Sequence, residues 1–164
     1  MSRKIDQPKI VILGMGNLLL QDEGVGIHLI QMLSKDALDY ANLEIIDGGT
    51  SPENLLTIEG VDKLIIIDAV KGGKEPGTIY RLGIDDIILD SSLRLSLHQM
   101  SMIDSLRILN LIDKQPKNIV IIGIEPKNID FGLGLSPEVR ERLVELKGLV
   151  IKEVKSEVLI YAST

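Results

Sequence analysis

The chain has 164 residues, the size of one ordinary domain, and 45% of them are hydrophobic, which is enough to form a sizeable core. Only 2% are aromatic and the net charge is −6, so the composition argues against base stacking and against the basic face that binds nucleic acid. The absence of cysteine excludes a thiol nucleophile, a cysteine metal site and a redox pair.

The sequence predicts a single domain over residues 1–164, with residues 1–8 as a flexible tail. No apolar run is long enough to span a bilayer, so membrane insertion is not expected. The polar start lacks the apolar core of a signal peptide, and this favours a cytoplasmic protein. Two hydrolase patterns are missing from the chain, the G-x-S-x-G turn of serine hydrolases and the paired histidines of zincins.

Strand-like and helix-like segments alternate along the first half of the chain. Unbroken apolar runs indicate strands that are covered on both faces, and Ser-Pro indicates a helix start. The predicted elements are a strand over residues 9–13, a helix over 24–34, a strand over 43–46 that stops at Asp47-Gly48-Gly49, a short helix opened by Ser51-Pro52, and a strand over 64–67.

The second half continues the alternation. The predicted elements are a loop over residues 71–74, a strand over 78–82 that could lie antiparallel at a sheet edge, a helix over 100–111, a buried strand over 119–124, and a last helix that opens at Ser136-Pro137 and runs toward Leu149 or beyond. Together the elements predict a three-layer α/β/α sandwich around a mostly parallel, twisted sheet of about five strands.

Polar residues follow several of the predicted strands. They are residues 17–23, residues 47–50, Asp68 and Glu125. Because ligands of open α/β sheets bind beyond the carboxyl ends of the strands, we expect a functional site there. Two carboxylates and the imidazole of His98 would suit a divalent transition metal.

The glycine-rich start also resembles a dinucleotide fingerprint, but only weakly. After Gly14-x-Gly16 the third glycine position is Leu19, and the helix start is delayed to Asp22-Glu23. Those two carboxylates would suit the dipole of the helix but would repel a pyrophosphate. Nucleotide binding is therefore disfavoured.

Six motifs, taken in order, resemble the hydrogenase maturation protease family. They run from about Ile10 to about Leu143 and are Gly14-x-Gly16-Asn17-x-Leu19-x-x-Asp22-Glu23-Gly24-x-Gly26, Asp47-Gly48-Gly49-Thr50, Asp68-Ala69, Pro76-Gly77-Thr78, His98-Gln99 and Gly123-x-Glu125-Pro126. The resemblance implies an endopeptidase that removes a C-terminal extension from the precursor of a nickel–iron hydrogenase large subunit, after nickel insertion.

The resemblance also implies roles for single residues. The family's three metal-contacting positions fall on Glu23, Asp68 and His98, which are the expected catalytic and metal residues. The family's flexible substrate loop falls on Gly48 and Gly49, which Thr50 follows. Asp47, just before them, is a weaker catalytic candidate. Nickel would arrive with the precursor, so the free protein is expected to hold no tightly bound metal.

The chemistry of peptide-bond attack stays open at this point. A water polarised by nickel is one option. A carboxylate acting as general base, from Asp68, Glu23 or Asp47, is the other. Residue types alone do not choose between them.

Each residue also has a plainer interpretation. Glu23 and Asp22 could be favourable helix-start charges, Asp68 could hold a neighbouring loop, and His98 could be structural; His28 is interpreted as a surface or helix-packing residue. Three other functions remain as hypotheses: a nickel- or zinc-binding chaperone without catalysis, a Rossmann-type nucleotide module, and a metallopeptidase with its own zinc.

Overall fold

The structure is a computed structural model that describes residues 7–36, 38–95 and 99–163. The strands are β1 (Ile10–Met15), β2 (Leu43–Gly49), β3 (Lys63–Lys71), β4 (Ile79–Gly83), β5 (Arg94–Leu95) and β6 (Asn118–Ile124). The helices are α1 (Val25–Lys35), α2 (Ile84–Leu89), α3 (Gln99–Leu111), α4 (Pro137–Arg140) and α5 (Leu143–Ala162), with 3-10 turns at Gln21–Gly24 and Pro52–Thr57.

The main sheet has the strand order β2-β1-β3-β6-β4. Strands β2, β1, β3 and β6 are parallel, and β4 runs antiparallel to β6 at the edge, which confirms the edge strand predicted over residues 78–82. From β1 the chain goes to β2 on one side and then to β3 on the other. The direction of winding therefore reverses at β1, which is where ligands bind in such sheets.

Helices cover both faces of the sheet, and side-chain alternation along the strands produces two cores. Ile65 and Ile67 of β3 pack with α1 and α5, whereas Leu64 and Ile66 pack with α3 and the Pro52–Thr57 turn. Both faces of this strand are buried, which explains its unbroken apolar run. The predicted three-layer sandwich is confirmed.

Two predicted strand ends are wrong. Strand β2 does not stop at Ile46 but continues to Gly49, because a bulge lets Gly49 pair with Met15 after Asp47 has paired with Gly14. Strand β3 continues to Lys71, because β5 adds an antiparallel partner to its last residues. The two-residue β5 carries too little pattern for a sequence-based prediction.

The helices differ from expectation at two places. The last predicted helix is interrupted after Arg140, and α5 then runs to Ala162 through the segment whose structure the sequence left open. The sequence predicted no helix at the position of α2. Asp86 in fact caps this helix by accepting a hydrogen bond from the backbone N–H of Gly83 (2.6 Å).

Two further predictions concern the N-terminal tail and membrane insertion. Residues 1–6 of the predicted tail lie outside the described residues; Pro8 is buried, and the carbonyl of Gln7 accepts a hydrogen bond from Asn42 (2.8 Å). In the part of the chain that the structure describes, no helix combines the length and the apolar character needed to cross a bilayer.

A buried ion pair ties the last helix to the beginning of β3. The Lys63 ammonium lies 2.7 Å from a Glu153 carboxylate oxygen and 3.7 Å from Glu157, and Arg81 also donates to Glu153. Burial acts to raise the pKa of Glu153, but the hydrogen bonds from Arg81 and Lys63 outweigh it, so this pKa lies below its ordinary value.

Replacing Lys63 with methionine should lower the free energy of unfolding by about 3 kcal/mol, since it leaves a buried carboxylate with one partner fewer. Urea unfolding at neutral pH measures the loss. Lys114→Met is the matched control, because both side chains of its ion pair with Glu59 are exposed and the pair should contribute little to the free energy of unfolding. Equal effects of the two substitutions on the free energy of unfolding would contradict this assignment.

The stabilisation by the Glu153 carboxylate should also depend on pH. It is present above the ordinary pKa of 4.5 and should be lost as the pH falls through the lower pKa of the folded protein.

Candidate functional site

Asp68 lies at the point where β1 and β3 separate. The pairing of these strands ends at Gly14 and Ile67, while Asp68 still pairs with Gly123 of β6. Alternation along β3 places Asp68 on the side of α3, and its side chain is almost fully buried. One carboxylate oxygen accepts a hydrogen bond from the backbone N–H of Ala69 (2.8 Å). The predicted strand-end carboxylate is therefore held inside the sheet edge.

Glu23 is the second buried carboxylate at this edge. It belongs to the 3-10 turn that follows β1, and the turn leads directly into α1. The backbone carbonyl of Glu23 accepts a hydrogen bond from the N–H of Asn17 (3.2 Å), which closes the loop on itself. Glu23 thus follows β1, and Asp68 lies on the adjacent strand β3 just beyond its last pair with β1, so both stand at the point of reversal.

Gly26 sets how closely α1 approaches these two strands. A Cβ at this position would lie 2.2 Å from the carbonyl oxygen of Met15 and 2.4 Å from that of Ile67. The glycine-rich start of the chain is therefore used for packing a helix on strand ends.

Asp22 has a role that the sequence analysis missed. Its fully buried carboxylate accepts hydrogen bonds from the backbone N–H groups of Lys127, Asn128 and Ser136 and from the Ser136 hydroxyl, all at 2.8–2.9 Å. These four bonds satisfy the buried charge without a cation. Asp22 therefore connects the loop of Glu23 to the loop before α4. Only its place in a motif beside Glu23 could have indicated this importance.

The Asp47-Gly48-Gly49-Thr50 segment is the bulged end of β2, not the loop that was predicted. The N–H of Gly49 donates to the Asp47 carboxylate (2.9 Å), and the Gly49 carbonyl accepts from the N–H of Gly16 (2.8 Å). The second bond joins this segment to the loop of Glu23. Substrate binding by Gly48, Gly49 and Thr50 stays a prediction.

A cavity of about 270 Å³ opens between these two segments. It is lined by Gly16, Asn17, Leu18, Ile27, Asp47, Gly49 and Thr50. Asp47 is exposed there, so its carboxylate can reach a bound chain. The structure thus brings together the loop of Glu23 and the predicted substrate segment.

His98 lies outside the described residues, so the third predicted ligand has no structural description. Among the residues that the structure does describe, no three histidine, aspartate or glutamate side chains gather closely enough to hold a metal ion. The ligand set Glu23, Asp68 and His98 stays a prediction.

His28 is half-buried on α1, as expected for a helix-packing residue. Burial, together with the positive charge of Arg140, holds the pKa of His28 below its ordinary value. The ring is therefore neutral at neutral pH.

Glu125 also follows a strand at this edge, and its hydrogen bonds have a structural role. Its carboxylate accepts hydrogen bonds from the N–H groups of Gly72 (2.8 Å) and Gly73 (3.3 Å) and from the hydroxyl of Tyr80 (2.5 Å). Burial and the nearby Glu125 raise the pKa of Tyr80 to about 12, so the phenol stays protonated as a donor. Glu125 thereby fixes the loop after β3.

Comparison with known proteins identifies the family. The profile of a family described as "Hydrogenase maturation protease" matches residues 27–153. The chain is 33% identical over 139 residues to the Hydrogenase 2 maturation protease of Escherichia coli, covering 84% of each chain. The chain belongs to the hydrogenase maturation protease family.

A second curated relative agrees with this assignment to the hydrogenase maturation proteases. HupD of Thiocapsa roseopersicina, described as a hydrogenase expression/formation protein, is 34% identical over 139 residues, which cover 83% of this chain. The chain spans 63% of the length of that relative.

Solved structures of hydrogenase maturation proteases share the fold. The endopeptidase HybD from E. coli superposes with a TM-score of 0.83 at 30% identity, over 90% of this chain and 93% of that one. HybD from Thermococcus kodakarensis superposes with a TM-score of 0.77 at 28% identity, over 89% and 99%. The predicted family and its class, the endopeptidases, are confirmed.

The two glycines of the β2 bulge should differ in what they tolerate. A Cβ on Gly48 would lie 2.5 Å from the Met15 sulfur and 2.9 Å from Leu13, so Gly48→Ala should lower the free energy of unfolding by about 1–3 kcal/mol. Gly49 has a φ of +50° and no close neighbour, so Gly49→Asn should be nearly neutral, since asparagine tolerates this backbone conformation.

Chemical denaturation of each variant measures this difference. Gly148→Ala is the matched control, because no atom lies within 4 Å of its added Cβ, and it should stabilise α5 by up to about 1 kcal/mol. A Gly48→Ala variant as stable as the parent protein would show that this segment is a loose loop after all.

Proposed function

We propose that this protein is an endopeptidase that removes the C-terminal extension of a nickel–iron hydrogenase large-subunit precursor after nickel has been inserted. The observation that carries the proposal is the pair of buried carboxylates, Glu23 after β1 and Asp68 where β3 separates from β1, at the point where the winding of the sheet reverses. Membership in the family supports it.

Nickel in this proposal is part of the substrate. Glu23, Asp68 and His98 would meet a nickel ion that the precursor already holds, and their oxygen and nitrogen donors suit such an ion. Contact between the three side chains and the nickel would fix the precursor, so that its extension lies along the cavity beside Asp47 and Thr50. Recognition would then depend on completed nickel insertion.

Water is the attacking group in this proposal, because the chain has no cysteine and no serine in a nucleophile turn. A carboxylate at the site accepts the proton of that water, as in aspartyl-type peptidases, and nickel on the substrate can polarise it further. Asp47, which lines the cavity, would lie beside the path of the extension, whereas Asp68 and Glu23 are buried. The proposed place of action is the cytoplasm, since a chain without cysteine needs no oxidising compartment.

His98→Ala should retain the fold and fail to convert nickel-loaded precursor into mature subunit. Loss of the only nitrogen donor would displace the scissile bond, and a displacement of about 1 Å can lower a rate about a hundredfold. A gel shift of the large subunit after incubation measures the conversion.

His28→Ala is the matched control for this experiment. It removes the chain's other histidine, which is half-buried on α1 and belongs to none of the six motifs, and should process normally. Full processing by His98→Ala would exclude this histidine from the site. An unprocessed precursor that nevertheless binds the protein tightly would indicate a nickel chaperone instead.

The isolated protein should bind divalent metal weakly, because two of its three proposed ligands are carboxylates and no fourth protein ligand closes the set. Titration calorimetry with cadmium or nickel should show binding that dialysis against a chelator reverses. Asp68→Asn should weaken that binding, whereas Asp85→Asn, on exposed α2, should not. Stoichiometric metal that survives dialysis would favour a metallopeptidase with its own zinc.

A further inference from the structure

Four apolar side chains stand exposed beside the candidate site. We call them the apolar rim, and they are Leu18, Leu19, Phe131 and Leu133. Phe131 and Leu133 are each 82% exposed, and Phe131 is the only phenylalanine of the chain. Contiguous exposed apolar side chains on a protein surface commonly mark an interaction site.

Backbone hydrogen bonds hold the two halves of the rim together. The N–H of Gly132 donates to the carbonyl of Leu19 (2.9 Å), and the N–H of Gln21 donates to the carbonyl of Gly132 (3.1 Å). Leu20 and Gly132 thereby form a short parallel bridge between loops that are more than a hundred residues apart in sequence. These hydrogen bonds therefore fix the shape of the apolar rim.

The buried carboxylate of Asp22 also connects these two loops. Its four hydrogen bonds go to residues on both sides of the Phe131 and Leu133 segment, at Lys127, Asn128 and Ser136. A buried charge with four short hydrogen bonds is a strong restraint. Because the loops are held in this way, the exposure of Phe131 and Leu133 persists, and little conformational entropy is lost when a partner binds.

The rim is continuous with the candidate site. Leu18 lines the cavity together with Asp47 and Thr50, and Glu23 follows the rim leucines in the same loop. A protein chain bound in the cavity would therefore also contact Leu18 of the apolar rim.

We propose that the apolar rim docks an apolar segment of the hydrogenase large-subunit precursor, next to the extension that is removed. This inference rests on the proposed function and adds the surface that selects the substrate. An anionic membrane is a poorer occupant, because Asp130 is exposed beside Phe131 and Lys127 is paired with Glu138.

The test is a double substitution, Phe131→Ser with Leu133→Ser, assayed for processing of nickel-loaded precursor. Docking that precedes the reaction should raise KM about tenfold or more and change kcat less than twofold, since the rim lies outside the reacting groups. Direct binding of the uncleaved precursor should weaken by a similar factor. The melting temperature should not change, because both side chains are exposed.

Leu111→Ser is the matched control. Leu111 is also 82% exposed but ends α3, which carries no residue of the rim or of the cavity lining, and its loss should leave KM and precursor binding unchanged. An unchanged KM in the rim variant, with active parent protein, would overturn the docking proposal and leave the proposed function standing.

Two other results would also separate the proposals. If the parent protein binds the precursor but never cleaves it, the proposed function is wrong. The binding measurement would still show whether the apolar rim docks the precursor. A dimer of the parent protein that the rim substitutions convert to monomer, with precursor binding unaffected, would assign the rim to a second copy of this chain and overturn the inference.

Discussion

The contact of Gly26 with the ends of β1 and β3 is the constraint on which the site depends. Its Cα lies so close to the carbonyls of Met15 and Ile67 that no side chain fits there. Helix α1 can therefore begin directly over the two strand ends. Its preceding turn then places Glu23 at the same edge as Asp68. A larger residue would push the helix away and separate the two carboxylates.

The chain buries its acidic side chains in two different ways. Asp22 and Glu125 are surrounded by N–H and hydroxyl donors, so each fixes loops without needing a positive partner. Glu153, at the opposite end of the strands, is instead paired with Lys63 and Arg81. The site edge therefore carries several buried acids and no buried lysine or arginine among the described residues.

The sequence was sufficient for the layers of the fold and for the strands that carry the site. Apolar runs such as residues 64–67 are long enough to predict buried parallel strands, and the Ser-Pro pair at residue 136 correctly indicated a helix start. It was not sufficient for the end of β2, because a bulge depends on the register with β1 and leaves no local pattern. The role of Asp22 was also out of reach, since its partners lie over a hundred residues later.

The strand order constrains how this chain can fold as it is synthesised. Among the strands that the structure describes, β4 pairs with β6 alone, and Lys63 at the start of β3 forms its buried ion pair with Glu153 on α5. When the first half of the chain has left the ribosome, β3 has not yet paired with β6, and Lys63 has not yet met Glu153. The growing chain must therefore keep this edge of β3 open until residues 118–124 have emerged, and an open sheet edge is prone to aggregation during that interval.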